Sequence, residues 1–171
     1  MTSEPLHTVT GEIYTRYSSF QLMGRYPNPP TDIRAPMPLL MAVPGWVSFI
    51  SAMSGQDVTA TFELYDHTPP DTGRKWDSTE YAEVTIPVPR SPVMSVEADT
   101  VPAAHFGTFE VRPILHVQAW VHGRTEVTKM RVARPRGVEH WLIRLSPGAH
   151  NQIPPGEEWF IPAQEYQRPA S

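Results

Sequence analysis

Twenty of the 171 residues are proline, about twice the usual share of roughly 5%. Proline cannot continue a helix and is excluded from central strands, because its ring fixes φ and it has no amide hydrogen to donate. The chain therefore has to consist of many short elements joined by proline-containing loops. Apolar residues make up 40% and charged residues 19%, which predicts a single globular domain over residues 1–171 with a loose C-terminal tail at 163–171.

The segment Gly45–Asp66 carries the clearest strand pattern. Two runs rich in Val, Phe, Ile and Thr flank Ser54-Gly55-Gln56. This pattern predicts two antiparallel strands joined by a short loop. The first run has no polar face and predicts a strand covered on both sides. The second run alternates with polar residues, and its apolar members are Val58, Ala60, Phe62 and Leu64.

Similar short runs recur along the whole chain. They predict strands at Thr8–Tyr14, Tyr17–Met23, Tyr81–Val88, Val93–Ala98, Thr108–Val121, Arg124–Ala133, Val138–Leu145 and Trp159–Ile161. Pro113 interrupts one of them, which indicates an edge strand or a bulge. His122-Gly123 predicts a two-residue hairpin turn, since glycine accepts a positive φ. Asp77 and Glu80 have the spacing of a capping box, which predicts a helical turn at Ser78–Glu83.

These elements predict an all-β fold. The expected architecture is an antiparallel β-sandwich of about seven to ten short strands with long proline-rich loops, since strands of this length recur with turn residues between them. A small β-barrel is the alternative.

Composition and charge narrow the functional classes. The chain has no cysteine, which excludes disulfides and thiol chemistry and agrees with a cytoplasmic location. Its first residues lack the basic start and apolar core of a signal peptide, and no apolar run approaches the roughly 20 residues that cross a bilayer. The formal net charge is −4, so we expect no direct binding of nucleic acid or membrane. A charged partner would be a basic protein.

Sequence motifs of catalysis are missing. The chain has no Gly-x-Ser-x-Gly elbow, no glycine-rich phosphate loop and no His-Glu-x-x-His helix. Four histidines lie on adjoining predicted elements, but at no recognised metal-ligand spacing; they are His105, His116, His122 and His140. We therefore expect no metal, no cofactor and no enzyme activity, and keep a histidine-based metalloenzyme as the least favoured hypothesis.

Acids and aromatics are concentrated between Glu63 and Glu83. Six acids stand there against two bases. Exposed aromatics contribute much of the energy of protein interfaces, and acids steer a basic partner. The candidate partner-binding residues are therefore Tyr65, Asp66, Asp71, Trp76, Asp77 and Glu80. The alternative is that the aromatics belong to the core and the acids only solvate a loop.

Four stretches of the chain share features with a known family. They are Tyr17–Leu22, Gly45–Phe49 followed by Val58–Tyr65, Ile86–Pro89 followed by Met94–Val96, and Pro135–Gly137 followed by Trp141–Leu145. They resemble strands of the ComJ family of competence nuclease inhibitors, which are small bacterial β-sandwich proteins that bind and block a nuclease. The chain departs from the family pattern at Ser19, where glutamine is expected, and by a longer segment at Asp99–His122 and a C-terminal extension. The resemblance implies a bacterial protein that acts by occlusion and has no catalytic residues.

The leading hypothesis is a non-enzymatic protein-binding module similar to a nuclease inhibitor or immunity protein. Its Tyr65–Tyr81 region would occupy the active site of a basic protein such as a nuclease or toxin. The alternative is a sugar- or small-ligand-binding β-sandwich that stacks its ligand on Trp76, Trp46 or Trp159.

Overall fold

A computed structural model of the protein describes residues 4–25, 38–86, 92–98 and 101–148. The strands are β1 (His7–Thr15), β2 (Ser19–Gly24), β3 (Leu40–Val43), β4 (Trp46–Ile50), β5 (Gln56–Leu64), β6 (Ser78–Thr85), β7 (Val93–Ala98), β8 (Val101–Pro102), β9 (Thr108–Glu110), β10 (Ile114–His122) and β11 (Arg136–Pro147). A 3-10 turn lies at Ala104–Phe106, and the helix α1 is Arg124–Lys129. No helix in these ranges is long and apolar enough to cross a bilayer. The predicted tail at 163–171 and the predicted strand Trp159–Ile161 lie outside the described residues.

The strands form two sheets, so the all-β prediction is confirmed. The first sheet has the order β1-β5-β11-β10-β6, and the second has the order β3-β4-β2-β7-β8 with β9 also paired to β7. All pairs are antiparallel except β5 and β11, which are parallel. The prediction of purely antiparallel strands is therefore wrong at this pair. A parallel pair needs a long crossover, and the chain between β5 and β11 supplies one by passing through both sheets.

Both sheets contribute to one hydrophobic core. Phe20 of β2 and Phe49 of β4 stack with their ring centroids 5.0 Å apart. Trp141 of β11 meets them edge-on at 5.4 and 6.0 Å, and Phe62 of β5 meets them at 6.5 and 6.1 Å. Buried aromatic rings remove large apolar areas from water, so this cluster contributes much of the core's stability.

The predicted hairpin of Gly45–Asp66 is wrong, although both of its strands exist. β4 pairs with β2 and β3 in the second sheet, whereas β5 pairs with β1 and β11 in the first. Residues 51–55 carry the chain from one sheet to the other. The facing predictions are confirmed, because all five residues of β4 are buried and Val58, Ala60 and Phe62 of β5 are buried with polar residues between them. Alternation determines which side chains face the core, but not which strand becomes the neighbour.

Pro113 also marks a change of sheet. The predicted strand Thr108–Val121 is divided into β9 in the second sheet and β10 in the first, with Pro113 between them. The prediction that Pro113 lies in an edge strand or at a bulge is therefore wrong. Such divisions explain why the described residues hold eleven strands where about seven to ten were expected.

Three local predictions are also corrected. Ser78–Thr85 is strand β6 and not a helical turn, because its backbone pairs with β10 along its whole length. Arg124–Lys129 is helix α1 and not a returning strand; the strand that returns along β10 is β11. The predicted two-residue hairpin turn at His122-Gly123 is wrong as well: Gly123 has the expected positive φ, at 90°, but helix α1 follows it. A Cβ at Gly123 would overlap the carbonyl oxygen of Val138, so this position requires glycine.

A charged contact fixes the segment that follows α1. The Asp57 carboxylate on β5 is nearly buried and accepts two hydrogen bonds of 2.6 Å from Arg134 and one of 2.9 Å from Arg136. The Arg134 guanidinium also lies over the ring of Tyr14, 4.3 Å from its centroid. The bidentate geometry and the cation–π contact together hold the start of β11 against β5 and β1.

Candidate functional site

The outer face of the first sheet, which is turned away from the core, carries aligned rows of side chains. These residues alternate with core residues such as Phe62 and Trp141, because successive side chains of a strand point to opposite faces. The strand register places members of β5, β11 and β10 side by side. The rows are Thr59–His140–His122, Thr61–Leu142–Trp120 and Glu63–Arg144–Gln118.

A loop of residues 65–77, called here the covering loop, lies over part of this face. Three sets of contacts fix its position. The Tyr65 amide donates to β11 at 2.8 Å, Arg144 donates to the carbonyl oxygen of Pro70, and Asp77 accepts a 2.7 Å hydrogen bond from the amide of Gly123. The covering loop is therefore held at its start, its middle and its end.

A groove of about 460 Å³ lies between the covering loop and the sheet. Its floor is formed by outward-facing residues of β5 and β11 together with His122, and its wall by Thr72, Arg74, Lys75 and Trp76 of the covering loop. Small-molecule sites in proteins have volumes of roughly 300–1,000 Å³. The groove is thus large enough for a small organic ligand.

Two residues that line the groove, Glu63 and Arg144, form an ion pair. Arg144 has a nearly buried side chain, and its Nε donates a 2.7 Å hydrogen bond to Glu63 Oε2. The same oxygen accepts a 2.9 Å hydrogen bond from the Tyr65 hydroxyl. Burial, together with this contact to Glu63, raises the pKa of Tyr65 above its ordinary value. The Arg144 guanidinium lies 5.4 Å from the ring centroid of Trp120, a cation–π distance. The charges of Glu63 and Arg144 are therefore used within the protein.

Two of the four histidines line the groove on neighbouring strands. His122 and His140 are directly opposite each other. His122 Nδ1 lies 3.0 Å from an oxygen of Asp77, and His140 Nε2 lies 3.0 Å from the carbonyl oxygen of Gly137. Burial of Asp77 opposes its ionisation, but the Gly123 amide and His122 outweigh that effect and lower the pKa of Asp77. Each histidine thus has one ring nitrogen engaged.

The other two histidines lie elsewhere. His105 packs beside the ring of Phe106 and over Gly11, whereas His116 contacts the ring of Tyr81. Within residues 4–25, 38–86, 92–98 and 101–148, no group of three or more His, Asp or Glu residues is placed to hold a metal ion.

The wall of the groove is cationic and aromatic. Arg74 and Lys75 are exposed, and their side chains have no hydrogen bond or ion pair with another described residue. Trp76 is half-buried, and its indole nitrogen donates a 3.2 Å hydrogen bond to the Thr72 hydroxyl. Arg74, Lys75 and Arg144 line the groove against the single acid Glu63. The site therefore has a local excess of two positive charges in a chain whose formal net charge is −4.

The predicted partner-binding residues have different environments. Tyr65 is 3% exposed and is buried against Glu63 and Arg144 on the outer face of the first sheet. Asp66 is exposed and pairs with His67 at 2.6 Å, a contact that lowers the pKa of Asp66. Asp71 is exposed on the covering loop. Trp76 is the one of the six predicted residues that lines the groove.

The remaining two acids hold elements together. Asp77 fixes the turn before α1 through Gly123 and His122. Glu80 accepts a 2.9 Å hydrogen bond from the amide of Leu40, which joins strand β6 of the first sheet to strand β3 of the second. Of the other predicted stacking residues, Trp46 is 6% exposed, and Trp159 lies outside the described residues.

Sequence reasoning missed most of the groove. In the sequence, Arg74 and Lys75 are two bases among six acids, and Arg144 is one residue of the predicted strand Val138–Leu145. The polar face of β5 was visible as Thr59, Thr61 and Glu63 in alternation. The residues beside that face could not be found, because they come from a parallel neighbour that alternation does not specify.

No protein-family model and no curated protein matches the chain. Among solved structures, the chain is similar to a protein titled "Crocagin biosynthetic gene J". The two share 12% sequence identity with a TM-score of 0.49, over 82% of this chain and 95% of that chain.

Proposed function

We propose that the protein is a non-enzymatic binding protein, a β-sandwich whose ligand occupies the groove on the outer face of the first sheet. The observation that carries the proposal is the groove wall, where a half-buried indole lies beside two cations that have no partner among the described residues. The covering loop is already held at three places, so little conformational entropy would be lost when a ligand binds.

The sandwich part of the proposal rests on the shared core. Rings from the second sheet, Phe20 and Phe49, pack directly on Phe62 and Trp141 of the first. The hydrogen bond from Leu40 to Glu80 joins the two sheets at one edge. Two layers that share one core in this way are typical of a β-sandwich with proline-rich connections.

The acid that lines the groove is engaged within the protein. Glu63 accepts hydrogen bonds from both Arg144 and the Tyr65 hydroxyl, which fix its carboxylate in place. This engagement favours binding over acid–base catalysis by Glu63, because a general base has to reach a proton of the substrate.

A fragment screen by two-dimensional NMR of the ¹⁵N-labelled protein tests this function. We expect fragments to shift the amide signals of groove residues, and Thr59→Trp to abolish those shifts by filling the groove from its floor. Thr8→Trp is the matched control, since Thr8 is exposed on β1 outside the groove lining. The proposal fails if no fragment shifts the groove signals, or if Thr59→Trp leaves the shifts unchanged.

Exposed groups on β6 favour a second candidate function, a protein-binding module similar to a nuclease inhibitor or immunity protein. β6 is an edge strand of the first sheet, and its Tyr81 is 74% exposed. The exposed acid Asp71 lies on the covering loop that leads into β6, and the exposed acid Glu83 is two residues after Tyr81 on the strand itself. An exposed tyrosine with nearby acids suits contact with a basic protein.

A pull-down from lysate of the native host, with mass spectrometry of the retained proteins, tests the second candidate. A basic nuclease or toxin bound at low salt, released at moderate salt and lost from Tyr81→Ala would support it. If the wild-type protein retains no basic protein at low salt, this candidate is rejected.

A further inference from the structure

We propose that the groove's ligand is a small organic anion with a flat ring, whose charge is held by Arg74 and Lys75 and whose ring packs on Trp76. This inference rests on the function proposed above and adds the chemical class of the ligand.

The sign of the charge follows from which charged groups are already used. Glu63 is the acid that lines the groove, and it is neutralised by Arg144 and the Tyr65 hydroxyl. Arg74 and Lys75 are left without an acidic partner among the residues that the structure describes. Two neighbouring exposed cations attract an anion and repel a cation. The groove therefore selects for negative charge.

The flat ring follows from the position of Trp76. The hydrogen bond from its indole nitrogen to Thr72 holds the side chain in the groove wall. A fixed, half-buried indole offers apolar surface on which a flat ring can pack at little entropic cost. Leu142 on the floor adds a second apolar surface. A ligand with charge alone would leave both surfaces unused.

Hydrogen-bonding groups on the floor indicate that the ligand is polar at another point as well. The carbonyl oxygen of Gly137 can only accept, so His140 Nε2 donates the hydrogen bond to it, and Nδ1 is the ring's second polar atom. The hydroxyl of Thr59, which also lines the groove, can donate or accept. A ring N–H or hydroxyl on the ligand would suit these two groups.

The volume of the groove favours a small molecule over an acidic protein. About 460 Å³ lies in the range of small-molecule sites. A stable protein interface buries about 800 Å² on each partner, and its contacts extend well beyond such a groove. An acidic segment of a protein is therefore an alternative that the experiment has to separate.

The test is a second NMR screen, using about a hundred matched pairs of aromatic carboxylic acids and their primary amides. Each pair has the same ring and nearly the same shape, but only the acid is charged at pH 7. We expect the acid to bind in the groove about tenfold more tightly than its amide, as two exposed ion pairs would give. Raising the salt from 50 to 500 mM should reduce the preference, because exposed charges are screened.

Three variants assign the roles. Arg74→Gln with Lys75→Gln should remove the preference for acids but leave the amides bound, whereas Trp76→Ala should weaken both members of a pair. Lys129→Gln is the matched control, because it removes an exposed cation on α1 outside the groove lining, and it should change neither result.

Each outcome decides a different proposal. If acids and amides bind in the groove equally well, or if the double variant keeps the preference, the anionic ligand is refuted while the groove remains a binding site. If neither member of any pair shifts the groove signals, and fragments of other chemistry do shift them, the ligand class is again refuted. If nothing binds in the groove in either screen, the proposed function itself fails. If an acidic peptide of glutamates and aspartates binds more tightly than every aromatic acid, the small-molecule assignment is overturned.

Discussion

Replacement of Glu139 should be among the most destabilising single changes in this protein. Its carboxylate on β11 is fully buried and accepts hydrogen bonds from Trp141 Nε1 at 2.8 Å, Gln56 Nε2 at 2.9 Å and the amide of Ala52 at 3.0 Å. Arg124 Nη1 lies 3.9 Å away. These partners belong to β11, to the start of β5, to the segment that crosses between the sheets and to α1. Glu139 thus joins four separate parts of the fold.

The expected loss of stability follows from the hydrogen bonds that are broken. Glu139→Ala removes the acceptor of these three hydrogen bonds, at about 1–3 kcal/mol each before other partners, water or local movement relieve part of the cost. Breaking a buried charged network by removing one member costs about 3–5 kcal/mol in other proteins. We expect Glu139→Ala to lower the free energy of unfolding by that amount. Glu139→Gln keeps one acceptor oxygen but turns an amide group toward the remaining donors, so it should cost about 1–3 kcal/mol.

Equilibrium unfolding in urea, followed by both tryptophan fluorescence and far-UV circular dichroism, measures these differences. Glu126→Ala is the control, because Glu126 is exposed on α1, and its change should stay within about 0.5 kcal/mol of wild type. If Glu139→Ala does not fold, the Gln variant still provides the comparison. A loss below about 1 kcal/mol for Glu139→Ala would refute the reasoning, since it would mean that the buried donors find other partners easily.

Three further predictions concern single contacts. Hydrogen bonds from Arg134 lower the pKa of Asp57 against the opposing effect of burial. The stability advantage of wild type over Asp57→Asn should therefore be complete above about pH 4 and should disappear as the pH falls through the lowered pKa. Urea unfolding at a series of pH values measures this advantage, and a difference that is constant to about pH 2 would contradict the prediction. Gly123→Ala should lower the free energy of unfolding by at least about 2 kcal/mol in the same assay, because φ is positive there and the new Cβ would overlap the neighbouring backbone. Gly137→Ala should cost less, since its φ of 61° is also positive but its Cβ would meet no atom. Equal losses would refute the steric argument. Arg144→Gln should release the covering loop, because the hydrogen bonds that the charged Arg144 makes to Glu63 and Pro70 are lost. The rate of tryptic cleavage after Arg74 and Lys75 should then rise by about tenfold or more. An unchanged rate would show that the other contacts suffice to hold the loop.

The candidate site could be predicted from the sequence only in part. Trp76 was predicted as a binding residue because it is an aromatic beside acids in a loop, and it does line the groove. The acids of the same segment were predicted as partner-binding residues too. Asp77 and Glu80, however, accept hydrogen bonds from backbone amides that lie 46 and 40 residues away in the chain. Whether an acid is free or engaged depends on partners that only the folded chain brings near. The cations Arg74 and Lys75 became important for the opposite reason, because the fold leaves them without partners among the described residues.

What the sequence determined by itself was the local character of the chain. The abundance of proline excluded long helices, and alternation identified the buried face of β5, because both effects act between residues that are close in sequence. The tertiary structure decided the pairing of the strands. It placed β4 and β5 in different sheets and set β11 parallel to β5, since β-strands gain their hydrogen bonds from any suitable neighbour, however distant in sequence. The groove exists only because of that pairing, which brings outward-facing residues of β5, β10 and β11 under one loop.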